Sequence, residues 1–133
     1  GLIFDNPNAQ TVLNVQLGVL NAIRDTEFEL MIRPVDRHSP DLVDEIRAFI
    51  ETQRPYGVIM LPPVSENDAI AALCDELGCG YVRMGSAVLD KEPHLVQSND
   101  HQAVAHAVEY LASMGHRRIG FIAGPEGFRS ALE

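Results

Sequence analysis

The chain has 133 residues, of which 46% are hydrophobic and 22% charged, enough for one domain with a buried core and unlike disordered or fibrous proteins. A net charge of −9 argues against a surface that grips nucleic acid, because that affinity comes mainly from Lys and Arg neutralising phosphates. The longest apolar runs, such as 57–61, are too short to span a bilayer, and the first residues lack the basic-then-apolar pattern of a leader.

Read in order, the chain alternates strand and helix. Leu2-Ile3-Phe4 is a short apolar run broken by Asp5-Asn6-Pro7-Asn8. A helix is predicted over Ala9–Asp25, with Val12, Val15, Val19 and Ile23 at helical spacing. A strand is expected over Leu30–Val35. Ser39-Pro40 then reads as a helix start, and Leu42, Ile46, Phe49 and Ile50 form the buried stripe. Val58–Leu61 is a continuous apolar run, as a strand covered on both faces should be. Ser65 is expected to cap the next helix, with Ile70, Leu73 and Leu77 inward and Gly78 as the stop. Tyr81–Met84 and His94–Gln97 are the fourth and fifth strands, separated by a long loop over Gly85–Pro93. Asn99 or Asp100 caps a helix carrying Val104, Ala107, Val108, Leu111 and Met114, and Arg118–Ala123 reads as a sixth strand before Gly124-Pro125. This order predicts an open, parallel, six-stranded α/β sheet with helices on both faces. Residues 1–125 are expected to form this domain, and 126–133 to begin a crossover to something beyond it.

Catalytic and metal motifs were sought in turn. Cys74 and Cys79 lack Cys-x-x-Cys spacing, and Cys74 falls on an apolar helix face as a small core residue. Reduced thiols suit the cytoplasm. The five histidines do not share ligand spacing, so no metal is expected. No glycine-rich dinucleotide loop, P-loop or nucleophile elbow is present, so no cofactor is expected and the chain reads as a binding protein, not an enzyme. A phospho-receiver domain would need an acceptor Asp after the third strand, where this chain has Leu61-Pro62-Pro63. In open parallel sheets, ligands sit beyond the carboxyl ends of the strands. Those ends here are rich in Asp, Asn and Ser, which suit a polyol and also serve as turn and cap residues. The loop Asp5–Asn8 is the densest of them.

Three stretches carry a family likeness. Gly1-Leu2-Ile3-Phe4-Asp5-Asn6-Pro7-Asn8 resembles the opening strand and loop of the lactose-repressor/galactose-repressor regulators. Arg54-Pro55-Tyr56-Gly57-Val58-Ile59-Met60-Leu61 resembles their third strand. The most specific stretch is 109–125, with Gly115-His116-Arg117-Arg118-Ile119-Gly120-Phe121-Ile122-Ala123-Gly124-Pro125 at its centre. The basic residues after Gly115 also have a local reason, since cations suit a helix C-terminus.

The resemblance implies one lobe of a two-lobed fold like that of periplasmic binding proteins, in a cytoplasmic bacterial transcription repressor. The effector, a carbohydrate or similar small metabolite, would bind between the lobes. DNA would be touched only by a separate helix-turn-helix. A homodimer would form through the Ala9–Asp25 helix and the Leu30–Pro34 strand. Ligand contacts carried over from the family fall on Asn6, Asn8, Ala9, Gln10, Thr11, Phe128 and Ser130, with Arg129 adjacent. Gly85 stands where some sugar-binding relatives have Asp, which argues against a simple galactoside. The alternative is a periplasmic sugar-binding receptor of a transport system. In either case half of the cleft should bind its ligand weakly.

Overall fold

Five short strands run parallel in the order β2-β1-β3-β4-β5: β1 Leu2–Phe4, β2 Ile32–Pro34, β3 Gly57–Met60, β4 Gly80–Gly85 and β5 Leu95–Gln97. The computed structural model describes residues 1–5, 8–85, 94–124 and 129. The helices are α1 Ala9–Ile23, α2 Leu42–Gln53, α3 Asp68–Glu76 and α4 Asp100–Ser113. The register pairs Leu2 with Ile32 on one side and with Ile59 on the other, and Gly57 with Gly80.

This order explains the layering. The chain steps from β1 outward to β2, then reverses across β1 to β3 and continues to β4. Right-handed crossovers in opposite directions place their helices on opposite faces. Accordingly α2 and α3 cover one face, where Ile46, Ile50, Ile70, Leu73 and Cys74 pack on Ile3, Val58 and Met60. Helix α1 lies on the other, with Val12 and Val15 against Leu2, Ile59 and Leu61. Alternation along β3 serves both layers: Val58 and Met60 point one way, Ile59 and Leu61 the other. Burial pushes the Cys74 thiol up to about 12, as expected of a core residue. A two-bond pair from Arg47 to Glu76, at 2.9 Å each, ties α2 to α3 on the surface.

The ends of the helices differ from expectation in two places. Ser39 does not cap α2; its hydroxyl accepts from Asp41 N–H and donates to Glu45 in a turn before the helix starts at Leu42. Ser65 does not cap α3 either. It sits inside a single 3-10 turn, Val64–Glu66, and Asn67 takes the cap by accepting from the Ala69 N–H at 2.9 Å. Gly78 and Gly115 do close their helices, both with positive φ.

The largest difference lies after β5. Helix α4 forms with its Asn99 cap, but none of its residues is buried. Residues 116–124 adopt no regular structure, so the sheet has five strands among the described residues and not six. Phe121 is 75% exposed and Ile122 97%. No helix among the described residues is long and apolar enough to cross a membrane.

Candidate functional site

Strand β1 connects outward through α1, and β3 connects the opposite way through α3. The two departing chains diverge at the carboxyl ends of β1 and β3, the switch point where open α/β sheets hold ligands. Each side can be built from its residues.

The β1 side is the loop into α1. Asn8 caps the helix, its Oδ1 accepting from Gln10 N–H at 3.1 Å and Thr11 N–H at 3.2 Å. Ala9, Gln10 and Thr11 form the exposed first turn, and the Gln10 amide donates to Asn14 at 2.8 Å. Asp5 is fixed from the β2 side: its carboxylate accepts from the Arg37 backbone N–H at 3.0 Å. The Arg37 side chain approaches the same oxygen at 4.0 Å.

The β3 side runs from Leu61 through Pro62-Pro63 into the 3-10 turn and α3. Here a guanidinium is buried. Arg83, near the end of β4, points to the α2–α3 face and is 2% exposed. A charge taken out of water must be paired and hydrogen-bonded. Its Nε donates to the Ser65 carbonyl at 2.6 Å and an Nη to Asp68 Oδ1 at 2.9 Å. The Ser65 hydroxyl beside it is buried without a hydrogen-bond partner among the described residues.

Arg129 converges on the same carboxylate. Its two Nη atoms donate to the two Asp68 oxygens, and its backbone N–H donates to Glu66 Oε2 at 2.8 Å. The bonds from Arg129 and then Arg83 hold the Asp68 carboxyl below its usual range. Thus Arg83, Glu66, Asp68 and Arg129 form one charged cluster at the edge of the sheet.

Of the residues carried over from the family, Asn8, Ala9, Gln10 and Thr11 share the first turn of α1, while Arg129 stands on the β3–α3 side. Asn6, Phe128 and Ser130 lie outside the described residues. Asp5 lies in the polar loop that the sequence singled out, whereas Arg83, Asp68 and Glu66 escaped notice as site residues. The signal that could have marked Arg83 is a lone cation in the apolar alternation Tyr81-Val82-Arg83-Met84. Asp68 reads as an ordinary acidic residue in a first helical turn.

The opposite end of the sheet has different chemistry. A groove of about 420 Å³ opens at the amino ends of the strands, on the α1 face, lined by Val19, Ile23, Phe28, Tyr56, Ile59 and Val82. The rings of Phe28 and Tyr56 lie 5.1 Å apart. These walls suit apolar cover and offer little to orient a polar ligand.

Among the described residues, no group of three or more His, Cys, Asp or Glu side chains could hold a metal ion. Comparison with protein-family models found no matching family, and searches of characterised proteins and of solved structures found no significant match.

Proposed function

We propose that this chain is one lobe of the effector-binding domain of a bacterial transcription repressor, and that it senses a carbohydrate or similar small metabolite without transforming it. The observation that carries this reading is the set of polar side chains beside the β1/β3 switch point. Its Asp, Asn and Arg side chains are held in place by one another and by strand ends, as hydroxyl-rich ligands require. The likeness of 109–125 to the lactose-repressor/galactose-repressor regulators points the same way.

In this reading a second lobe closes over this end of the sheet. The ligand binds open and closed arrangements unequally, and that difference moves separate DNA-binding heads. The acidic lobe itself stays off DNA. The protein works in the cytoplasm as a homodimer through α1 and β2. Leu13, Leu17, Leu20 and Ile32 are exposed there and offer an apolar seam.

The six-stranded form of the lobe belongs to the same proposal. Among the described residues β5 leaves one edge of the sheet unpaired, and a right-handed crossover through α4 would bring 118–123 to that edge. Pairing there would bury Ile119 and Phe121.

The test is to read the coding sequence on either side of this segment and assay the encoded protein on DNA with and without a sugar panel. A basic helix-turn-helix ahead of the lobe, with operator binding altered by one sugar, is the expected result. A secretion leader there would make the protein a periplasmic sugar receptor and would overturn the regulator reading.

A further inference from the structure

The cluster around Asp68 contains an asymmetry. Arg83 is buried in the sheet and bonded to both Ser65 and Asp68, so it is a fixed post. Arg129 is exposed and distant in sequence, yet it is bonded by its backbone to Glu66 and by its side chain to both oxygens of Asp68. Asp68 therefore stands between a guanidinium that cannot move and one that can. A carboxylate gripped on one oxygen by an immobile donor presents a fixed edge to a second planar fork.

We propose that Asp68 is a positioning residue, set by the buried Arg83, that clamps Arg129 against the carboxyl edge of the sheet before any ligand arrives. The clamp joins the interior of the sheet to Arg129, which the family likeness places beside ligand contacts. Arg83 thus acts on Arg129 without touching it. The role assigned to Arg129 rests on the ligand-site reading given above, but the clamp itself does not need a ligand to be tested.

The experiment is amide hydrogen exchange and the side-chain Nη–H signals of Arg129 in the ¹⁵N-labelled chain, with no ligand added. The wild type should protect the Arg129 backbone amide and show slowly exchanging Nη–H protons. Asp68→Asn should speed loss of both signals at least about tenfold, since a charge-assisted pair becomes a neutral contact. Glu66→Gln should loosen the backbone amide and spare the side chain. Arg83→Lys keeps the buried charge but loses the fork, and should loosen the Arg129 side chain from a distance. A wild-type Arg129 amide exchanging at the unprotected rate would overturn the clamp. So would a folded Asp68→Asn protein with unchanged Arg129 protection. Should Arg83→Lys or Asp68→Asn fail to fold, the wild-type rate and Glu66→Gln still decide. A failed sugar panel would leave these outcomes as they are.

Discussion

A single missing side chain sets the spacing of two central strands. Gly57 faces Gly80 across the β3–β4 pair, and a Cβ on Gly57 would lie 2.9 Å from the Gly80 carbonyl oxygen. Backbone cannot yield as a flexible side chain can. Gly57→Ala should therefore destabilise the chain by about 1–3 kcal/mol, read as a lower urea midpoint with unchanged slope. The charged residues obey an equally local rule. Asp68 has its carboxyl held low by Arg129 and Arg83, so its share of stability is present above the ordinary carboxylate range. That share is lost only as the pH falls through the lowered value, and the clamp on Arg129 should open over the same acid window. Arg83 reads in the sequence only as part of the fourth strand. Its pairing was not legible, because Asp68 and Arg129 meet only once β4, α3 and residue 129 are brought together.

At the scale of elements, periodicity was a good guide wherever a helix or strand has a neighbour to bury against. Strands β1, β3 and β4 and helices α1 to α3 follow the apolar pattern of their residues closely. Caps were less legible. Ser39 and Ser65 are good cap types, yet Asn67 won at α3 because the chain first makes a 3-10 turn after the two prolines. The expected sixth strand is not formed among the described residues, and the reason differs. An apolar run such as 118–123 needs a covered face as well as a free edge, and α4, which should supply cover, has no buried residue. Helix α1 shows the same excess on its outer side, where Leu17 is 55% exposed. If α1 and β2 form the proposed dimer seam, Leu17→Glu should convert a dimer into a monomer in analytical ultracentrifugation. It should leave the α-helical circular dichroism unchanged. A wild-type chain that sediments as a monomer at all attainable concentrations would contradict the seam.

For the molecule as a whole, the parallel α/β class was legible from the alternation of runs. The strand order, which sets the position of the switch point, came only with the structure. The two ends of the sheet differ in chemistry. The carboxyl end is polar, with Asp5, Asn8, Asp68 and Arg129 held by defined bonds. The amino end is an apolar groove. If an effector binds at the carboxyl end as proposed, this chain alone should bind it weakly. The most direct measurement is ¹⁵N chemical-shift mapping of the chain titrated to high millimolar concentration with a panel of neutral and acidic monosaccharides. The account predicts that one of them shifts the amides of Asn8, Gln10, Thr11 and Arg129 in a saturable way and leaves Tyr56 and Val82 unmoved. Saturable shifts confined to the groove around Tyr56 and Val82, or none anywhere in the panel, would contradict it.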